Sequence, residues 1–317
     1  MDSFGHHFIL DIFGASHAPN VGVTLRGVPA SLPLAPDDFT ADILRRKSGA
    51  KGTTPRIEAD LPEIDDRRDS DGTLTITFAN RNYRDGDYQD FTDIPRPGHA
   101  DFVALAKYGS LRNGWFSGRM TLPLVAAGVV AKKLIAPLRV EARLLEVGGV
   151  EFTDAEAVER RLNEAIREGD SLGGIIECRC TGVPVGLGEP FFESMESLLS
   201  HALFSIPGIR GVEFGDGFAA ARMTGSQHND PIIDAAGHTA RNGAGGINGG
   251  ITNGNPVVFR IAAKPTPSIR KMQRTFDFNR GVMVDYAVPG RHDVCFALRV
   301  PPVVEAVTAC VFADLLL

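Results

Sequence analysis

Residues 73–78, Thr-Leu-Thr-Ile-Thr-Phe, alternate threonine with an apolar side chain without a break. Successive strand side chains point to opposite faces, so this segment has one dry face and one wet face, as in an antiparallel sheet covered on one side. Ile176, Cys178 and Cys180, interleaved with Glu177 and Arg179, repeat the pattern far downstream. With 35 glycines and 20 prolines punctuating short segments, the expected class is α+β, a strand-and-loop scaffold carrying a few helices.

The helical signals are few. Thr153 and Glu156 form a capping-box pattern ahead of Val158, Leu162, Ala165 and Ile166, which share one face of a helix ending near Gly169. The run 124–135 is apolar throughout, and its Ala126, Ala127, Gly128 and Ala131 are small enough for close packing, so this helix is expected to be internal. Further helices are expected over 37–46 and 193–203. Each follows an alternating strand and a Gly-Val-Pro turn, Gly27-Val28-Pro29 in one case and Gly182-Val183-Pro184 in the other. Either a duplicated unit or shared turn chemistry produces such an echo. The first reading makes residues 1–317 one domain of two similar halves, about 1–145 and 146–317.

A formal net charge of −6 on 317 residues argues against nucleic acid or an anionic membrane as partner, so any anion site must be a local exception. No apolar run reaches the roughly 18 residues of a membrane span, and the N-terminus lacks a leader pattern, so a cytoplasmic protein is expected. Cys178, Cys180, Cys295 and Cys310 have no zinc-type spacing and read as reduced core residues.

Three histidines sit in Gly-, Ser- or Arg-bearing loops: His17 in Gly-Ala-Ser-His, His99 in Arg-Pro-Gly-His-Ala-Asp and His292 in Gly-Arg-His-Asp. Loops of this composition set polar side chains beside accessible backbone, and imidazoles titrate near neutral pH. Spacing for a metal is absent, so no metal site is expected. Arg45, Arg46, Arg56, Arg96, Arg112, Arg119 and Arg291 lie in or near the same loops. Guanidinium groups match phosphate and carboxylate oxygens two at a time; Arg56 and Arg291 fit an anionic ligand best, whereas Arg45 and Arg112 fit solvated surface charges. Finally, residues 242–254 interleave six glycines with asparagines before a strand over 257–262. Such a backbone either approaches a ligand closely or lines a sheet turn.

Taken in order, Ser16-His17, Arg56-Ile57-Glu58-Ala59-Asp60, residues 96–101, Ser205-Ile206-Pro207-Gly208 leading to Glu213-Phe214-Gly215, residues 242–254, Lys264-Pro265-Thr266 and residues 290–293 resemble chorismate synthase. The resemblance implies a β-α-β sandwich with helices packed between antiparallel sheet layers, two similar halves and a homotetramer. It implies an anti 1,4-elimination of phosphate from 5-enolpyruvylshikimate 3-phosphate to chorismate, with reduced FMN required but not consumed. Reduced flavin would come from a separate reductase or from the free pool. By the same resemblance His17, His99 and Asp293 are catalytic: His17 protonates the flavin, His99 the departing phosphate, and Asp293 assists the ring-proton transfer. Arg46, Arg56, Ser117, Arg119 and Arg291 bind substrate, and Asn242, Gly245, Gly246, Asn253, Lys264 and Thr266 bind the cofactor.

The chain departs from the family pattern in places. Ala18 stands where a glycine is usual, which a negative φ tolerates. The charged stretch 63–72 replaces a glycine-rich segment, implying a missing or rebuilt loop beside the flavin. Trp115 and Met120 stand where the pattern has an arginine and a glutamate. Trp115 and Phe116 either stack on the flavin, cover the site or pack in an altered core. These changes leave open a flavin-binding paralogue with another substrate or a non-catalytic role.

Overall fold

The computed structural model describes residues 3–82, 91–111 and 114–317. Two five-stranded antiparallel sheets face a shared helical layer. The first has the order β1-β2-β3-β5-β4, from β1 (Ser3–Phe4), β2 (Ile9–Gly14), β3 (Asn20–Arg26), β4 (Glu63–Arg67) and β5 (Thr73–Ala79). Between β6 (Arg139–Val147), β7 (Val150–Glu151), β8 (Gly174–Thr181), β9 (Ile209–Phe214) and β12 (Val257–Ala263) the second has the order β7-β6-β8-β12-β9. Two small hairpins, β10 (Ile247–Asn248) with β11 (Ile251–Thr252) and β13 (Gln273–Asp277) with β14 (Val282–Tyr286), stand apart.

Both alternating segments bury the face the pattern marks as dry. Leu74, Ile76 and Phe78 lie opposite Leu25, Val23 and Val21, all fully buried. In the second sheet Ile176, Cys178 and Cys180 lie opposite Ile261, Phe259 and Val257. All four cysteines are free and buried.

The helices are α1 (Thr40–Arg46), α2 (Asp101–Tyr108), α3 (Thr121–Leu134), α4 (Ala155–Glu168), α5 (Met195–Phe204), α6 (Gly225–His228) and α7 (Pro301–Leu316). Helix α3 packs on β3 and α7 on β6, and the two pack against each other between the sheets. Every residue from 121 to 131 and from 301 to 313 is buried, because a helix apolar all round is stable only when covered all round. The two axes approach closely where an added Cβ at Gly128 would lie 2.2 Å from the Ala306 Cβ.

The order β2-β3-β5-β4 recurs as β6-β8-β12-β9, with α1 after β3 and α5 after β8, so the two halves are built alike. Gly27 and Gly182, which open the echoed turns, both hold positive φ, 81° and 72°. Helix α4 starts one residue later than the capping box suggests. Its cap is Asp154, whose carboxylate accepts the Ala157 amide at 2.9 Å, and Ile166 faces solvent. Among the described residues no helix is long and apolar enough to cross a membrane.

Candidate active site

Loops from both halves converge on one cavity of about 520 Å³. The segment after β2 brings Ser16 and His17; the end of α1 and the loop behind it bring Arg46, Lys47, Arg56, Glu58 and Asp60. Ahead of α2 come Arg96, His99 and Asp101, and ahead of α3 Trp115 to Arg119. The second half adds Arg210, Lys264, Thr266, Arg291, His292, Asp293 and Arg299. Nine Lys and Arg side chains thus line the cavity against four Asp and Glu, so a chain of net charge −6 turns a positive field inward at this point.

Asp60 organises the floor. It is buried and holds φ at 54°, a left-handed conformation that sets its carboxylate between two guanidinium groups. Arg46 Nη2 donates to Asp60 Oδ2 at 2.9 Å, and Arg119 Nη1 donates to Asp60 Oδ1. Arg119 Nε also donates to Asn80 Oδ1 at 2.9 Å. Arg299 donates through Nε to the Arg46 carbonyl at 2.9 Å and through Nη1 to both Asp293 oxygens at 3.1 Å. Asp293 also accepts the Thr54 amide at 2.8 Å. Burial, aided by the charge of Arg299, brings the Arg46 guanidinium down to about 10, so it stays charged near neutral pH.

His99 belongs to a second cluster. Its Nδ1 lies 2.7 Å from Asp101 Oδ1, and Arg96 clamps the same carboxylate with Nε at 2.7 Å and Nη2 at 2.8 Å. Burial opposes the Asp101 charge, but Arg96 and His99 outweigh it and hold the carboxyl well below its usual range. For His99 burial prevails: with the charges of Arg96 and Lys264 it lowers the imidazole pKa despite Asp101. Nδ1 is taken up by Asp101 and by Arg96 Nη2 at 3.0 Å, which leaves Nε2 as the nitrogen available to a ligand. His292 is lowered in the same way by burial, with its Nε2 3.0 Å from the Pro289 carbonyl.

The other expected ligand groups are also at the cavity. Arg56 donates Nε and Nη2 to Glu58 Oε1 at 3.1 and 2.8 Å, and both Nη atoms reach the Ser16 carbonyl at 3.3 Å. Arg291 reaches the Asn82 carbonyl at 3.4 Å. Lys264 Nζ donates to the Gly98 carbonyl at 2.6 Å, and burial with the nearby Arg210 charge lowers its pKa. The Thr266 hydroxyl on the wall is buried without a hydrogen-bond partner. Ser117 lines the wall, but its hydroxyl is engaged as a cap, accepting the Arg119 amide at 3.1 Å.

The glycine-rich loop does not share this cavity: Asn242, Gly245, Gly246 and Asn253 are absent from its lining. The loop folds on itself. Asn242 holds φ at 60° and donates Nδ2 to the Pro256 carbonyl at 2.8 Å, and Asn253 Nδ2 donates to Asn248 Oδ1 at 2.6 Å. At Gly246, φ is 83° and an added Cβ would lie 2.5 Å from the Pro256 oxygen, so the glycine serves a close backbone crossing. Asn253 instead lines a smaller cleft of about 130 Å³ with His228, Asp230 and Thr239.

Several contributors go beyond the candidates the sequence marks. Asp60 and Asp101 sit inside its motifs without a role of their own, and Arg96, a candidate anion ligand, is instead paired with Asp101. Arg210, Arg299 and Asn80 have no local signal, since only the fold brings them in. Arg45 is a correction: half exposed, it donates to the buried Glu305 at 2.6 and 2.7 Å, so it is an ion-pair partner and not a free surface charge. Arg112 lies outside the described residues. Ala18 is not among the residues with positive φ, which accounts for the missing glycine. Residues 63–67 form an edge strand, and no residue of 63–72 lines the cavity. Trp115 and Phe116 are not core residues; each is 37% exposed on the cavity wall. Among the described residues no group of three or more His, Cys, Asp or Glu is arranged to hold a metal ion.

The family model described as chorismate synthase matches residues 8–317. A chorismate synthase of Chitinophaga pinensis is 55% identical over 326 residues, covering 100% of this chain and 97% of that protein. One from Korarchaeum cryptofilum is 40% identical, covering 99% and 96%. A crystal structure of chorismate synthase superimposes with a TM-score of 0.75 at 25% identity, covering 99% of this chain and 92% of that one. With the motifs of both halves gathered round one cationic cavity, the chain belongs to the chorismate synthase family.

Proposed function

We propose that this chain is a lyase that removes the 3-phosphate and a ring proton from 5-enolpyruvylshikimate 3-phosphate by anti 1,4-elimination, giving chorismate in the shikimate pathway with reduced FMN as cofactor. The observation that carries the reading is the single cavity in which nine cations outnumber four carboxylates beside His17, His99 and His292. A substrate bearing a phosphate and two carboxylates needs that excess of charge.

The residues present suit FMN as well. The Ser16 and Thr266 hydroxyls are buried at the cavity without partners, Lys264 offers a cation, and Trp115 and Phe116 offer apolar ring faces. When bound, reduced FMN would supply transient electron density to the breaking carbon–oxygen bond, with no net redox change.

The chain's own groups do the rest. Arg46 and Arg119, fixed by Asp60, and Arg56 and Arg291 bind phosphate and carboxylates, with Ser117 shaping the turn that presents Arg119. His99 holds its proton poorly in the free cavity because burial opposes the charge. An arriving phosphate dianion reverses that balance, and the imidazole then protonates the leaving group through Nε2. His17 would hold a proton toward bound flavin, and Asp293, immobilised by Arg299, would assist removal of the ring proton. Lys264 and Thr266 would hold FMN from the wall. Asn242, Gly245, Gly246 and Asn253 would reach FMN only from a second subunit of a homotetramer. The enzyme acts in the cytoplasm and draws reduced flavin from a separate reductase or the free pool.

Incubation of the purified protein with 5-enolpyruvylshikimate 3-phosphate and anaerobically reduced FMN should release phosphate and chorismate in equal amounts. Folded protein that binds FMN yet releases no phosphate would overturn the reading. That result would favour a flavin-binding paralogue with another substrate, a possibility raised by Trp115 standing at the cavity where the family pattern has an arginine.

A further inference from the structure

Two segments far apart in the chain are stitched into one unit beside the cavity. Residues 46–56 run from the end of α1 to Arg56, and residues 291–299 lead from Arg291 toward α7. The Cys295 amide donates to the Gly52 carbonyl at 2.9 Å, the Thr54 amide to Asp293 Oδ1 at 2.8 Å, and the Thr54 hydroxyl to the Arg291 carbonyl at 3.2 Å. Arg299 adds a link made by a buried charge. Arg46 ends α1, and the last carbonyls of a helix have no partner within it. Arg299 Nε meets that need at the Arg46 carbonyl at 2.9 Å, while its Nη1 donates to both oxygens of Asp293 at 3.1 Å.

A guanidinium group is planar and its N–H directions are fixed, so two acceptors bound through different nitrogens are held in a fixed relation to each other. One acceptor here belongs to the helix end that presents Arg46 to the cavity floor. The other is the Asp293 carboxylate, whose remaining tie is the single Thr54 amide at Oδ1; one amide anchors an oxygen and leaves the plane of the group free to turn. An elimination breaks two bonds of one small ring, so the group that receives the leaving phosphate and the group that assists loss of the proton must be in register. Resting on the proposed elimination, we infer that Arg299 is a positioning residue that sets the Asp293 carboxylate relative to the Arg46 end of α1. Its charge is committed to Asp293, and Asp60 holds the Arg46 side chain independently, so Arg299 governs turnover and not anion affinity.

The test is a double-mutant cycle. Phosphate release from 5-enolpyruvylshikimate 3-phosphate with anaerobically reduced FMN is measured for the unaltered protein, Arg299→Lys, Asp293→Asn and the double variant, each of confirmed fold. Lysine keeps the charge but places it on one freely rotating nitrogen, which gives up the fixed pair of directions. Arg299→Lys should lower kcat about ten- to a hundredfold, the scale of a misplacement of roughly 1 Å, with KM and the affinity for inorganic phosphate within about threefold. In the Asp293→Asn background the same change should cost less than about threefold, because the carboxylate it places is gone. An equal loss in both backgrounds, an unchanged kcat, or a loss confined to KM and phosphate affinity overturns the positioning role and leaves the function proposal standing. If Arg299→Lys does not fold, a crystal structure of the unaltered protein with inorganic phosphate decides the matter. Arg299 should keep its bonds to Asp293 and the Arg46 carbonyl, and an Arg299 turned to the phosphate overturns the inference. Absence of phosphate release by the unaltered protein overturns both.

Discussion

Two stretches of this chain are rich in the features of a ligand site, and the fold treats them differently. The arginine and histidine loops of residues 45–60, 96–119 and 290–299 converge on one cavity. The glycine-rich loop of 242–254 lies elsewhere and binds itself, the Asn242 and Asn253 side-chain amides donating to Pro256 and Asn248 and the Gly245 and Asn253 backbone amides to Asn242 and Gly246. The difference is one of unmet demand. A cluster of guanidinium groups cannot satisfy five donors each from four carboxylates, so it retains capacity for an anion. A glycine loop that crosses close to its own chain can meet donors there, as the Gly245 and Asn253 amides do, and Gly246 passes tightly against Pro256.

The contrast can be broken most forcefully at Asp60. Asp60→Ala leaves two buried guanidinium groups without their shared carboxylate, and a loss of about 3–5 kcal/mol in unfolding free energy is expected by denaturant titration. Asp60→Asn, which keeps a hydrogen-bond acceptor, should lose less. A loss below 1 kcal/mol in Asp60→Ala would mean that the cavity floor is not organised by this residue.

His99→Ala separates chemistry from folding. On the proposed reading kcat falls roughly a hundredfold or more, about 3 kcal/mol of transition-state stabilisation, with the melting temperature little changed because Arg96 still holds Asp101. Unchanged turnover would remove His99 from the proton-transfer role.

For the glycine loop the opposite signature is expected. Gly246→Ala forces an L side chain to a φ of 83° and into the Pro256 carbonyl, costing about 1–3 kcal/mol of stability. Inorganic phosphate binding should be unaffected. A variant with intact stability but weakened phosphate binding would reverse the assignment of the two regions.

The smallest effect is on pH. Burial lowers the pKa of both His99 and His292 in the folded chain, so below about 6.5 the unfolded chain takes up protons that the native state refuses. Stability contributed by their neutral forms is present above that pH and is lost as the pH falls through the window just below it. Melting curves from pH 7.5 to 5.5 should show this decline, and the double variant His99→Gln, His292→Gln should flatten it. A wild-type curve independent of pH over that range would contradict the burial argument.

The site was partly legible before the fold was known because its polar residues occur in compact local motifs. Arg56, Glu58 and Asp60 are neighbours in sequence, as are Arg96, His99 and Asp101, and each set includes ion pairs within itself, Arg56 with Glu58 and Arg96 and His99 with Asp101. Arg299 illustrates the opposite case. Its role lies in joining Asp293 to the main chain at Arg46, across most of the chain length, and nothing in its sequence neighbourhood announces that. Trp115 was visible as a departure from the pattern, but whether it packed in the core or faced the cavity depended on the loop geometry set by Gly114 and Ser16.

What sequence alone determined are the properties governed by periodicity and local chemistry. The two-residue alternation settles the dry faces of β5 and β8, the all-apolar run settles the burial of α3, and the histidine and arginine motifs supply the cavity's reactive groups. Tertiary structure alone decided which motifs meet. Long-range pairing balances burial against the desolvation of charge over the whole molecule at once, so the sharing of Asp60 by Arg46 and Arg119, and the seclusion of the glycine loop, arise only when both halves close on the helical layer.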